Sequence, residues 1–323
     1  MPLNHFLPAV GNDSVGQRTA FGTWVPPGAR VAAYVGPQSE STDAYSSSSL
    51  LVSTLAAGLA RCRAGKGDVV FVLPGHTETV STTTMLDALV SGTQIIGCAP
   101  FGSGLMPTFT FAGTTNTSTW TVDDANVTIA NIKFNCDGAD SIDTPLVVTA
   151  AGFRLEGCLV NLGSSTTLDC DTFLTLGAGS TNAYIVNNKM QSTSTAVNTN
   201  VISITAAVDG ITIAGNFIRT TLSSATGGVI QIGAAATNLD IHHNVIRNFV
   251  EDGVGIRVAD TFAATGMIYC NFFGGTDAGG TVANTIKAVS FEGTTEALLR
   301  CFENYATDED TGSGVISPAA ATT

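Results

Sequence analysis

An all-β fold, a single-stranded right-handed parallel β-helix (solenoid) with a short N-terminal capping α-helix and an extended N-terminal arm, is the class this sequence predicts. Three observations predict it. The first is a module, Gly-Ile-Thr-Ile-Ala-Gly-Asn-Phe-Ile at 210–218, whose pattern returns at 238–246 and 183–190. The second is its period. Aligning the copies puts Ile129, Leu155, Ile185, Ile213, Ile241, Ile268 and Leu299 in one column, with steps of 26, 30, 28, 28, 27 and 31 residues. A repeat of this length marks a solenoid. The third is an apolar strand about ten residues upstream of that column in each copy, at 146–148, 173–176, 201–204, 229–232, 254–258 and 288–291.

Within a module the side chains alternate. Val127, Phe153, Ala183, Ile211, Leu239, Gly266 and Ala297 stand two before the column, and Phe134, Val160, Met190, Ile218, Ile246 and Phe273 stand five after it. These positions read as inward, and the polar Thr128, Arg154, Thr212 and Asp240 between them as outward, as the two-residue period of a strand requires. Asn131, Gly157, Asn187, Gly215 and His243 follow the column by two, where residue types tolerant of positive φ predict a left-handed bend. Asn188, Asn216, Asn244 and Asn271 follow by three, with Ile132 and Cys158 in earlier coils. They read as a stacked Asn ladder whose amides bond the coils above and below and satisfy the turn backbone. A leucine-rich horseshoe would carry a Leu-dense consensus and a helix per repeat, which this sequence lacks. Parallel strands joined by crossovers favour the right hand.

The repeat runs from about 122 to 305, which argues for one elongated body in a chain of 323 residues. We divide it into an arm at 1–45, a capping helix at 46–66, the β-helix at 67–305 and a tail at 306–323. The net charge of -13 disfavours nucleic acid and anionic membrane as partners. No apolar run is long enough to span a bilayer, and the N-terminus lacks the regions of a secretory signal, so synthesis in a cytoplasm is expected. The seven Cys residues form no CxxC pair and read as buried thiols filling the core.

Residues 1–45 lie outside the repeat. Gly and Pro punctuate them, and Phe6, Phe21, Trp24, Val25, Tyr34 and Tyr45 give them more aromatic content than a linker carries. The segment either packs along its own β-helix or docks onto another subunit. In the second case Phe6, Phe21, Trp24 and Tyr34 would be the shell or subunit interface, being residue types that anchor interfaces. At 46–63, Leu51, Leu55, Leu59 and Cys62 fall on one face of an amphipathic helix, opened by a Ser cap and closed by Gly65. Such a helix suits the lid of a solenoid, whose end would otherwise expose its core.

The stretch 66–78, Lys-Gly-Asp-Val-Val-Phe-Val-Leu-Pro-Gly-His-Thr-Glu, follows that helix directly. It resembles the opening of the pectate-lyase-like superfamily of right-handed parallel β-helix proteins, in which a lid helix precedes "GD", a strand, and "PG" with a Thr and Glu nearby. The resemblance covers about residues 46–305. It implies the fold, and a family that holds pectate lyases, polygalacturonases, bacteriophage tailspikes and phage surface proteins without known chemistry. A Gly/Pro-rich lead-in before a lone β-helix is most similar to the last group.

Polygalacturonase-like hydrolases place paired carboxylates on neighbouring coils, and here only Asp123-Asp124 matches, in what reads as a solvated turn. Asp137, Asp140 and Asp143 form an acidic loop out of EF-hand register. His242 and His243 occupy an outward column and the bend column, and Glu251-Asp252 follows as a charged loop tip. The expectation is a bacteriophage virion structural protein, most of all a capsid decoration (cement) protein forming β-helical trimers on major capsid protein or another virion protein. It is expected to be non-enzymatic, with no catalytic residue, no metal and no cofactor. The runner-up is a tailspike-type protein that binds or depolymerises surface polysaccharide.

Overall fold

Three parallel sheets run along the molecule, and each full coil contributes one strand to each of them. The computed structural model describes residues 17–18, 24–25, 29–36, 50–112, 118–138, 141–193, 196, 198–223, 227–250, 253–259, 263–274, 287–291, 298–306 and 316–317. Within the module, Thr212–Ala214 lies in the first sheet and Phe217–Thr220 in the second, with Gly215 and Asn216 making the corner between them. The upstream strand, Gly228–Ile232 in the next coil, belongs to the third. The architecture is a right-handed parallel β-solenoid with one short helix near its N-terminal end.

Register follows the Ile column. Ile129 pairs with Leu155, Leu155 with Ile185, Ile185 with Ile213, Ile213 with Ile241 and Ile241 with Ile268, all in parallel. Every one of these residues is fully buried. The last coil departs from the sequence alignment by two residues. Cys301, not Leu299, pairs with Ile268, while Leu299 pairs with Gly266. A Cβ at Gly266 would run into the Leu239 carbonyl, so this coil has no side chain at the inward position that Ile211 and Leu239 fill elsewhere.

The column also extends N-terminally beyond the repeat. Ile95 pairs with Ile129, Val70 with Ile95, and Ala33 with Val70. Val31–Val35, placed by sequence in the arm, is therefore a strand of the first sheet, with Ala32, Ala33 and Val35 buried. The aromatic cluster Trp120, Phe109, Phe111, Phe134 and Phe173 packs together in the core, with Trp120 edge-on to Phe109 at 4.8 Å and to Phe134 at 5.4 Å.

The capping helix is shorter than the periodicity predicts. Leu51–Val52 is an edge strand paired with Tyr34 and Val35, and the helix spans only Leu55–Leu59. The open edge of Val31–Val35 offers backbone partners that a longer helix would leave unmet. Thr54, not a Ser, caps it, its hydroxyl accepting from the Ala57 N–H at 3.3 Å. Leu55 and Leu59 point into the core end, and Gly58 lies so close to Val70 and Val35 that the helix rests directly on the first coils.

Two residues of the stretch 66–78 stitch this lid to the sheet. Asp68 is buried and accepts from the Arg63 guanidinium at 2.6 and 2.9 Å and from the Arg63 and Arg30 backbone N–H groups. Glu78 accepts from the Leu55 N–H at 2.9 Å and meets the buried His76 ring at 3.1 Å. Of the seven free thiols, Cys98, Cys136, Cys158 and Cys170 are buried. Burial pushes Cys98 and Cys158 up to about 12.

Candidate functional site

Side chains that cannot enter the core stand on the outer faces, and the outer face of the first sheet changes character along its length. In the middle coils the outward column reads Ala130, Glu156, Val186 and Ala214; in the last three it reads His242, Tyr269 and Phe302. Parallel register sets these rings one strand apart, about 4.8 Å, which is also a stacking distance. His242 stacks on Tyr269 with centroids 4.9 Å apart, and Tyr269 on Phe302 at 5.0 Å with planes 9° apart. His243 sits on the bend at φ 54 and meets the Tyr269 ring edge-on.

Beside the strip runs a second outward column of Asp240, Met267 and Arg300. Met267 (41% exposed), Leu298 (70%) and Phe302 (42%) leave an apolar surface open on this face, beside Asp240 and Arg300, and Tyr305 (61%) is exposed past the corner, on the second sheet. The Tyr269 hydroxyl is raised above its ordinary value by desolvation and then by the charge and hydrogen bond of Asp240. The Cys270 thiol, 3.3 Å from a Glu303 carboxylate oxygen, is likewise raised by desolvation and by that carboxylate, the reverse of what a thiolate nucleophile needs. His242 and His243 share an Nδ1···Nδ1 hydrogen bond of 2.8 Å, and Asp240 stands 3.7 Å from His242 Nε2. The arrangement is suited to packing against flat apolar surface.

The other residues singled out by sequence are placed as follows. Asn188, Asn216, Asn244 and Asn271 are buried in the corner between the first and second sheets. Asn216 Nδ2 donates to the Ile185 carbonyl at 2.7 Å and to Asn244 Oδ1 at 3.0 Å, and Asn244 Oδ1 also accepts the Asn216 N–H. The same bonds join Asn188 to Asn216 and Asn244 to Asn271, and Asn304 adds a fifth amide below. Asp123 and Asp124 lie in the loop between Trp120–Val122 and Thr128–Ala130. Asp137 accepts from the Ser164 hydroxyl at 2.5 Å, and Asp143 faces Asp171, whose carboxyl is raised by desolvation and then by Asp143 and Asp169. Tyr34 stacks on Phe71 of its own chain at 5.9 Å. Trp24–Val25 pairs antiparallel with Gln17–Arg18. Phe6, Phe21, the Trp24 side chain, Asp140, Glu251 and Asp252 lie outside the described residues.

Sequence reasoning missed Tyr269 and Phe302. Their signal was the outward column itself, read only as far as His242, and the two-residue misalignment of the last coil hid Phe302. Among the described residues, no helix is long and apolar enough to cross a membrane. Compared with protein-family models and with curated proteins, the sequence matches none. What the geometry establishes is the fold class, a right-handed parallel β-solenoid.

Proposed function

We propose that this chain is a bacteriophage virion structural protein, a non-enzymatic β-helix that decorates the outer shell as a homotrimer. The observation that carries this reading is the apolar strip on the last coils of the first sheet, where Met267, Leu298 and Phe302 remain exposed beside the Tyr269 stack. Contiguous exposed apolar surface marks an interaction site. Its occupant is a second copy of this chain: Asp240 and Arg300 put both signs of charge beside it, so a rotated copy can set acid against base. Closed rotational symmetry then reuses the patch without open-ended growth. The resemblance to phage surface proteins supplies the virion setting, and the regular outer walls of the solenoid suit a load-bearing role on a shell.

Sedimentation velocity on the full chain should give a trimer. Changing Leu298 and Phe302 to Ser should release monomers whose circular dichroism keeps the β signature. A wild-type monomer at micromolar concentration overturns the assembly reading. Cryo-electron microscopy of the source particle should then place the trimers on the outer shell, and density on the tail alone would move them to a tail role. The polysaccharide reading is favoured by one feature, the flat ring strip of His242, Tyr269 and Phe302, a platform on which sugar rings stack. Incubation with host capsule, lipopolysaccharide or pectin, with and without calcium, is expected to release no oligosaccharide.

A further inference from the structure

The outer face of the second sheet carries a charge pattern opposite to that of the whole chain. Asp and Glu outnumber Lys and Arg by 26 to 13 in the sequence. Yet the outward positions of its strands from Lys133–Asn135 to Tyr305–Ala306 bear Lys133, Lys189, Arg219 and Arg247 and no carboxylate; Asp169, on the short strand paired with Leu159–Ser165, is buried. Lys189, Gln191, Phe217, Arg219 and Arg247 line an open groove of about 380 Å³ on that face.

Register makes this a built cluster. Arg219 and Arg247 are direct parallel partners, as are Gln191 and Arg219, and Lys189 and Phe217. Two guanidinium groups therefore project side by side from strands about 4.8 Å apart, an arrangement of like charges that costs stability unless something offsets it. Aromatic rings hold them: Arg219 lies over Phe249 at 4.9 Å and Arg247 over Phe217 at 5.9 Å. Among the described residues, no carboxylate lies within ion-pairing distance of Lys189, Arg219 or Arg247.

We infer that this groove binds a tetrahedral phosphoryl dianion, as free phosphate or as the phosphomonoester of a sugar. The donor count selects the ligand class. A single arginine fork already satisfies a carboxylate, whereas two forks and an ammonium offer more N–H groups than one carboxylate can accept. A phosphoryl group presents three oxygens and two charges, which matches two guanidinium groups flanked by a lysine. The partly exposed Phe217 ring beside them can cover a sugar face. The inference is independent of the assembly reading, because it concerns another sheet and holds for a monomer.

Isothermal titration calorimetry of the full chain with inorganic phosphate at low ionic strength tests it. One phosphate should bind per chain. Arg219→Gln combined with Arg247→Gln should weaken binding by about tenfold or more, and Lys133→Gln, outside the groove, should leave it within about twofold. Both arginines are exposed, so the variants fold; Arg247→Gln alone provides the milder step. Glucose 6-phosphate against phosphate, with glucose as the uncharged control, separates the two sources: tighter binding of the ester assigns a sugar phosphate, equal binding assigns free phosphate. No heat with phosphate, undiminished binding in the double variant, or a preference for galacturonate or a DNA oligonucleotide over phosphate overturns the inference.

Discussion

A buried amide bonded on both sides is costly to remove, and the corner between the first and second sheets is built from such amides. Asn216 donates to the coil before it and to Asn244 in the coil after it, while its own Oδ1 accepts the Asn188 amide and N–H. Asn216→Ala should therefore cost about 1–3 kcal/mol for each group left unpaired, whereas half-exposed Thr212→Ala should stay within about 0.5 kcal/mol. Urea unfolding of the two variants checks this, and equal midpoints would contradict it. Asp68 makes a pH-dependent contribution of the same local kind. Burial pushes its carboxyl up, but the Arg63 side chain and the Arg63 and Arg30 N–H groups outweigh burial and hold it below the ordinary range. A carboxyl more acidic when folded than when unfolded stabilises the fold fully above its unfolded value of about 4. That stability is lost as pH falls through the depressed folded value. Asp68→Asn should thus lower the urea midpoint at pH 7, and the gap to wild type should narrow as pH falls below about 4.

At the scale of one coil, the turns explain both what the sequence disclosed and what it concealed. The left-handed positions of one corner are Asn126, Gly152, Asn182, Gly210 and Asn238, and those of the next run Asn131, Gly157, Asn187 and Gly215. At three of these glycines the Asn Oδ1 of the preceding coil occupies the space a Cβ would need, Asn126 at Gly152, Asn182 at Gly210 and Asn187 at Gly215, whereas Gly157 has open space there and is required only by its positive φ. Gly210→Ala should then be destabilising by about 1–2 kcal/mol for its positive φ alone, with more from displacing Asn182. A thermal melt unchanged from wild type would refute that packing. The Ile column was legible because coils from 129 to 268 have nearly constant length, so a period survives in the sequence. It vanished toward the N-terminus, where 34 residues separate Ile95 from Ile129 and a helix intervenes between Ala33 and Val70. The buried polar group of Ser192, Thr220, Asn198 and Asn248 was illegible for another reason. Thr220 donates to Asn198 Oδ1 at 2.6 Å, and Asn198 Nδ2 donates to the Cys170 carbonyl, a partnership across loops that no spacing encodes. The groove arginines were visible as letters, but only register shows that 219 and 247 stand side by side.

For the molecule as a whole, the decisive question is where the solenoid ends and the arm begins. Sequence periodicity sets that boundary near 45, but Val31–Val35 pairs with Val69–Val72 on one side and with Leu51–Val52 on the other. Its removal would strip the first sheet of the strand next to its N-terminal edge, uncover Val70 and Phe71, and detach the Arg30 donor from Asp68. Burial of Val35 alone contributes about 1.5–3 kcal/mol. Two deletions therefore separate anchoring from folding. Loss of residues 2–28 should leave the thermal melt and β circular dichroism in place while abolishing cosedimentation with capsids, because the shell contact proposed for Phe6, Phe21 and Trp24 goes and the solenoid stays. Loss of residues 2–40 should lower the melting temperature or prevent folding outright. If the shorter deletion unfolds the protein, the segment before 29 is part of the core; if it folds and still binds shells, the anchor lies on the coils themselves, outside the apolar strip that joins the copies.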